Sequence, residues 1–189
     1  IAALDAAGDV RVWVTGETTT AALLDQIAVS VGGYWRIDST GTIRAGLLSE
    51  PGVPTLTLLD HQIIEISREA TGAGQNGLPV GTVTVSADPI ETVQDDLAGA
   101  VSESRRARLA QATREAEASD AATLARHPLA EAVRIESRLA TRAQGQIVAN
   151  RVLDLLSPRR DSLSVTARVL DAPSLSIGST VRIVTPRLG

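Results

Sequence analysis

The sequence contains no cysteine, methionine, phenylalanine or lysine, and all 18 of its basic residues are arginine. Without cysteine there is no disulfide, thiol nucleophile or Cys-ligated metal. Without lysine, Schiff-base chemistry and the lysine of a phosphate-binding P-loop are excluded. The only aromatic residues are Trp13, Tyr34 and Trp35. The core must therefore be built from Leu, Ile, Val and Ala, which disfavours a roomy aromatic pocket, and we expect no cofactor.

Charge is distributed unevenly along the 189 residues. Residues 1–92 carry 4 arginines and 11 acids (net −7), whereas residues 93–189 carry 14 arginines and 11 acids (net +3). Ordinary solvated faces explain a mild imbalance of this kind, and opposing surfaces used in assembly are the alternative. No run of ~20 apolar residues occurs, so no membrane span is predicted. The chain begins at Ile1 without Met, and we expect it to be part of a longer protein.

A helix followed by a hairpin is predicted between Thr19 and Leu48. Apolar residues recur at helical spacing, Thr18 or Thr19 can cap the first turn, and Gly32-Gly33 ends the helix. Two extended runs follow, on either side of a Ser-Thr-Gly turn: Tyr34–Asp38 and Thr42–Leu47. We expect the helix to pack on its own hairpin and to bury one cluster, formed by Leu23, Ile27, Trp35 and Ile43.

The other segments mix strands and helices without regular alternation. The predicted strands are Val10–Thr15, Leu56–Leu59, Ile63–Arg68, Val80–Ala87, Val133–Leu139, Leu163–Val169 and Val181–Val184. The predicted helices are Val101–Gln111 and Thr141–Leu156, the second with an apolar stripe of Ala143, Ile147, Val148, Val152, Leu155 and Leu156. The run Glu115–Ala118 fits either a helix or an edge strand, and His127-Pro128 predicts a break. These patterns favour an α+β fold with a mainly antiparallel or mixed sheet.

Histidine chemistry has little support in the sequence. His61 lies beside Asp60 and four residues before Glu65, so a carboxylate-oriented histidine is conceivable. Polar residues are nevertheless expected at a break between strands, and His127 before Pro128 marks another boundary. We interpret both histidines as structural, and two histidines without cysteine make a weak zinc site.

Carboxylates and serines give no clear motif either. The pair Asp95-Asp96 could bind a divalent cation, but acids favourable to a helix N-terminus explain it as well. Ser30 and Ser39 lie in no G-x-S-x-G nucleophile elbow.

We expect one glycine motif and two arginine clusters to bind no nucleotide or nucleic acid. Gly72-x-Gly74-x-x-Gly77 matches a dinucleotide pattern, but a strand rather than a helix follows, so we expect a mobile hairpin loop that binds no nucleotide. The clusters Arg105-Arg106-Arg108 and Arg159-Arg160 have no interleaved aromatic residues, so nucleic-acid binding is not expected. The sequence thus predicts no catalytic, cofactor-binding or metal-binding residue.

Several turn and packing motifs resemble tail proteins of tailed bacteriophages and prophages, in the tail-tip and baseplate-hub group. They are Ala21-Ala22-Leu23-Leu24-Asp25, Val31-Gly32-Gly33-Tyr34-Trp35, Asp38-x-x-Gly41-x-Ile43-Arg44-x-Gly46, Gln94-Asp95-Asp96-Leu97-Ala98-Gly99, Arg159-Arg160-Asp161 and the closing Leu175-x-Ile177-Gly178-x-x-Val181-x-Ile183-x-x-Pro186-Arg187-x-Gly189. The resemblance covers the chain from about Thr18 onward.

The resemblance implies a structural virion protein, encoded by a phage or prophage, that acts by oligomerisation and by contacts with other tail proteins. Hub proteins of this kind form rings, often trimeric, from small barrel-like domains joined to an α+β module. It implies a helix–hairpin module over residues 1–62 and a β-rich, barrel-like domain with inserted helices over residues 63–189. The strands Ile63–Arg68, Val80–Ala87, Leu163–Val169 and Val181–Val184 would then share a sheet or barrel. The chain is not expected to be an enzyme; the alternatives are a cell-wall (peptidoglycan) hydrolase using the acidic residues and a carbohydrate-binding module.

Overall fold

The computed structural model describes residues 8–38, 40–69, 78–97, 99–158, 160–168 and 175–188. These ranges contain four helices: α1 (Thr20–Ser30), α2 (Glu103–Leu109), α3 (Ala121–Arg126) and α4 (Arg142–Leu156). They also contain nine strands: β1 (Gly33–Ile37), β2 (Ile43–Leu47), β3 (Leu56–Leu59), β4 (Ile63–Glu69), β5 (Val80–Ala87), β6 (Arg114–Ser119), β7 (Glu131–Glu136), β8 (Ser162–Ala167) and β9 (Val181–Val184). The predicted α+β class is confirmed.

A three-stranded sheet in the order β6-β5-β7 forms the centre of the fold. Strand β5 pairs antiparallel with β6 and parallel with β7. Its β-branched run is buried along almost its whole length, including Val80, Val83 and Val85. Burying a valine side chain contributes roughly 1.5 kcal/mol or more, so this strand anchors the core. Residues 114–119 form an edge strand, which resolves the alternative left open by the sequence.

The predicted helix at residues 141–156 is confirmed as α4, which packs on β5 and β6. Thr141 caps its first turn by accepting from the Gln144 amide at 3.3 Å. The predicted apolar stripe is partly wrong, because Ile147 is 56% exposed. The buried side is instead formed by Gly145, Val148, Ala149, Val152 and Leu153. The helix lies closest to the sheet at Gly145, where a Cβ would be 3.0 Å from the Ala87 Cβ, so a larger side chain does not fit at this position.

Two further sheets have two strands each. Strand β3 runs parallel to β9, and β4 runs antiparallel to β8 from the pair Ile63–Ala167 to the pair Glu69–Ser162. The chain leaves these sheets after β4, forms the unit containing β5–β7 and α2–α4 (residues 78–158, the αβ unit), and returns at β8.

The expectation that β4, β5, β8 and β9 share one sheet or barrel is wrong. These strands lie in three separate sheets, and no sheet in the described ranges closes into a barrel. The physical reason lies in β5: its two edges are already occupied by β6 and β7, so neither β4 nor β8 can pair with it.

The helix–hairpin unit forms largely as predicted. Thr19 caps α1 by accepting from the Ala22 amide at 3.2 Å, and Gly32 ends it with a φ of +58°. Strands β1 and β2 form the expected antiparallel hairpin. The predicted cluster is wrong for Ile27 and Ile43, which are 38% and 54% exposed.

Two other contacts fix α1 in place of that cluster. The Trp35 Nε1 donates to Asp25 Oδ1 at 2.7 Å, which joins hairpin to helix through a polar bond. The end of α1 reaches the central core instead, where Ser30 and Val31 are buried.

The segment Val10–Thr15 is not a strand in the structure. Its only ladder contacts are a bridge between Val10 and Leu139 and a bond from the Arg11 amide to the Arg138 carbonyl at 2.8 Å. No pairing is found for residues 12–15 in the described structure. Trp13 is consequently 74% exposed.

Most of the other local predictions are confirmed, and two are not tested by the structure. The strands near 56–69, 131–136, 162–167 and 181–184, the helix at 103–109 and the break at His127 are confirmed. The Gly72–Gly77 loop lies outside the described residues. The division at residue 62 stays a prediction, and both the β3–β9 pairing and the burial of Val31 against α4 residues cross it. No helix in the described residues is both long and apolar enough to span a membrane.

Candidate functional site

The two histidines occupy turns. His61 is exposed in a short 3₁₀ turn, Asp60–Gln62, and the neighbouring Asp60 carboxylate pairs with Arg187 Nε at 3.0 Å rather than orienting the imidazole. His127 follows the last residue of α3, where its amide donates to the Thr123 carbonyl at 2.8 Å. Within the described ranges, no group of three or more His, Asp or Glu side chains could hold a metal ion.

Ser30 links two elements through its hydroxyl. The hydroxyl donates to the Gln26 carbonyl at 2.7 Å and accepts from the Arg138 amide at 2.9 Å. It is fully buried, so its contacts explain it as a structural residue. Ser39 lies outside the described residues.

The arginines of the two clusters differ in their contacts. Arg108 binds Asp88 through Nε at 2.9 Å and also donates to the Asp88 carbonyl, which holds Asp88 at an unusual φ of +54°. Arg105 is exposed, and Arg160 donates to the Leu155 carbonyl at 2.7 Å. Arg159 lies outside the described residues.

The acid pair Asp95-Asp96 lies in an exposed irregular segment. Helix α2 begins only at Glu103, so these carboxylates do not stand at its first turn and the helix-dipole interpretation is wrong. In the described part of the chain, neither Asp95 nor Asp96 forms an ion pair.

The most organised surface feature is the turn of the β1–β2 hairpin, which the sequence analysis named as a turn motif but did not propose as a site. The Asp38 carboxylate accepts from the Thr40 hydroxyl at 2.6 Å, from the amides of Thr40 and Thr42 at 2.9 Å each, and from Arg44 Nε at 3.0 Å. These bonds, first that from the Thr40 hydroxyl and then that from Arg44, hold the pKa of the Asp38 carboxyl well below its ordinary value. The turn therefore depends on an ionised Asp38.

Two arginines lie directly opposite each other on this hairpin. Arg36 and Arg44 are cross-strand partners, a pairing of like charges that destabilises a sheet unless it is compensated. Asp38 compensates Arg44. Arg36 has no such partner: its Nε is shielded from solvent and makes no hydrogen bond in the described structure. The trio of Arg36, Arg44 and Asp38 thus carries a net positive charge.

A turn from the end of the chain crosses the same face of the hairpin. Tyr34 lies opposite Gly46 in the ladder, and its ring also lies against Gly178. A Cβ at Gly178 would be 2.1 Å from the Tyr34 Oη, and Gly178 has a φ of +86°. Both its backbone and its surroundings therefore require glycine. The contact locks the turn at residues 175–180 over the hairpin.

This crossing turn borders two open grooves on the hairpin. One, of about 530 Å³, runs beside Tyr34, residues 47–52 and residues 178–181. The other, of about 630 Å³, is lined by Arg36, Ile37, Asp38, Thr40, Arg44, Leu175, Ser176 and Ile177. We call this second one the arginine groove. Cations and hydroxyls lie on one side of it and the exposed Leu175 and Ile177 on the other, so it suits a ligand that is anionic and partly apolar.

Part of the arginine groove was readable from the sequence. Two-residue spacing on either side of the Ser-Thr-Gly turn places Tyr34, Arg36 and Asp38 on one face, with Arg44 opposite. No local signal indicates that residues 175–178 complete it, because this contact joins distant parts of the chain.

No protein-family model and no curated protein matches this sequence.

Proposed function

We propose that this chain is a structural component of a phage or prophage tail tip or baseplate hub, acting by oligomerisation and by contacts with other tail proteins rather than by catalysis. The resemblance of its turn motifs to that group supports the phage assignment. The observation that carries the assembly role is the pair of small sheets, β3–β9 and β4–β8, beside a well-packed αβ unit.

Small sheets of this kind are incomplete as isolated units. A two-stranded sheet is marginally stable in water, and parallel strands are normally buried on both faces. In the described structure, the outward residues Leu59 and Val184 form an exposed apolar cross-strand pair on β3–β9, and Ile64 is exposed on β4. Such strands gain stability when a neighbouring subunit covers their faces or extends their edges.

The test is the mass and shape of the assembled protein. Light scattering and negative-stain electron microscopy of the chain should give ring-like oligomers. A chain that stays monomeric at high concentration would contradict the proposal.

A hydrolysis assay separates this function from the cell-wall hydrolase alternative. We expect no peptidoglycan turnover by the chain and none by its Asp95→Asn/Asp96→Asn variant. Clear turnover by the unmodified chain, lost in the variant, would show an enzyme and refute the structural role.

A further inference from the structure

Among the described residues, one cation of the arginine groove has no counter-charge. Arg44 is held by Asp38, whereas Arg36 is half-buried, faces a like charge and has no carboxylate partner. A carboxylate in the groove would pair with the part of the Arg36 guanidinium that lines it, since Nε is shielded from solvent, and would offset the repulsion between the two arginines. Leu175 and Ile177 would cover an apolar side chain next to that carboxylate.

A segment of the same chain has the complementary character. Residues 93–97, Val93-Gln94-Asp95-Asp96-Leu97, carry two exposed carboxylates between apolar neighbours, and Val93 is exposed. The segment is held against α2, since the Gln94 amide donates to the Leu109 carbonyl at 2.9 Å. The Ile90 amide anchors its start on the Ala112 carbonyl at 2.8 Å. We call residues 93–97 the acidic ridge; these two bonds hold its beginning beside α2.

We infer that the arginine groove of one copy binds the acidic ridge (residues 93–97) of a second copy. This inference rests on the proposed function, because it requires the chain to assemble with itself. Charge complementarity selects this occupant: within the described residues the groove has an uncompensated cation, the ridge has uncompensated anions, and each has an apolar flank. One of the two adjacent carboxylates, Asp95 or Asp96, is expected to pair with Arg36.

The inferred contact joins two different surfaces of the chain. Two copies can satisfy it twice as a closed pair, and a larger number can satisfy it head to tail as a ring. Ring closure agrees with the proposed hub role, and the measured mass distinguishes the two arrangements.

The experiment is sedimentation velocity on the full chain and three charge variants. Arg36→Glu and Asp95→Arg/Asp96→Arg should each raise the dissociation constant of the assembly by about tenfold or more, because like charges then meet. The triple variant Arg36→Glu/Asp95→Arg/Asp96→Arg should restore assembly, since the reversed charges match again in every contact. Single variants Asp95→Asn and Asp96→Asn identify which carboxylate enters the groove.

A matched control separates local pairing from net charge. Arg11→Glu makes the same change of charge on an exposed arginine that does not line the arginine groove, and it should leave assembly unchanged. Circular dichroism of each variant, with Arg36→Gln as a milder substitution, confirms that folding is intact.

The possible results are distinguishable. Unchanged assembly of Arg36→Glu, an equal effect of Arg11→Glu, or failure of the triple variant to recover would overturn the inferred contact while leaving the hub proposal standing. An unmodified protein that never self-associates would overturn both.

Discussion

Replacement of Gly178 by alanine tests how the crossing turn is held on the hairpin. The φ of +86° costs an L-residue roughly 1–2 kcal/mol. The new Cβ would also lie 2.1 Å from the Tyr34 Oη and 2.7 Å from its Cζ, so the ring or the turn must move. Overpacking of this kind costs about 1–3 kcal/mol. We expect Gly178→Ala to lower the free energy of unfolding by about 3 kcal/mol.

Gly41 provides the matched control. Its φ of +80° is almost the same, but a Cβ there would meet nothing within 4 Å. Gly41→Ala should therefore show only the backbone cost of roughly 1–2 kcal/mol. Urea unfolding followed by the fluorescence of Trp35, next to Tyr34 in β1, measures both variants. In a Tyr34→Ala background the excess at Gly178 should disappear, because the crowded ring is gone. Equal losses for the two glycine variants would refute the contact.

Two further predictions follow from the core and the hairpin turn. Val148→Ala should lower the free energy of unfolding by about 2 kcal/mol, whereas Ile147→Ala on the exposed side of α4 should change it by less than about 0.5 kcal/mol. A loss at Ile147 as large as that at Val148 in urea melts would restore the predicted stripe, which contains both residues. The Asp38 carboxyl has a folded pKa below its ordinary value of 3.8, so its stabilisation is complete above that pH and is lost as the pH falls through the folded pKa. Asp38→Asn should therefore flatten the acid limb of the stability profile, and an unchanged limb would contradict this.

The sequence predicted elements whose signals are local. The cap at Thr19 and the stop at Gly32 could be predicted, because each depends on a few neighbouring residues. The buried face of α4 was predicted wrongly in part, because hydrophobicity alone predicts that Ile147 is buried and gives no reason for Gly145 to be buried. The close approach of the helix to the sheet reverses that preference.

Pairings between distant segments were not readable. Nothing in the residues of β3 indicates that β9 lies beside it in parallel, and the resemblance to hub proteins suggested a shared sheet that the structure does not have. The arginine groove was not predicted for the same reason. Ile177 and Arg36 line it together, but they are far apart in the sequence. Val10–Thr15 shows the opposite error: its alternation is typical of a strand, but in the described structure only Val10 forms a bridge, to Leu139, and the segment does not continue along the edge of β7.

The antiparallel pairing of β4 with β8 also constrains the order of folding. Glu69 and Ser162 are register partners, so this pair closes a loop that contains the whole αβ unit. Closing so long a flexible loop costs about 4 kcal/mol of chain entropy, more than a two-stranded sheet returns. Once the αβ unit has folded, only short connections remain to be closed. The two small sheets should therefore appear last during folding and open first under hydrogen exchange, so that the surfaces proposed for assembly are also the least protected part of the free chain.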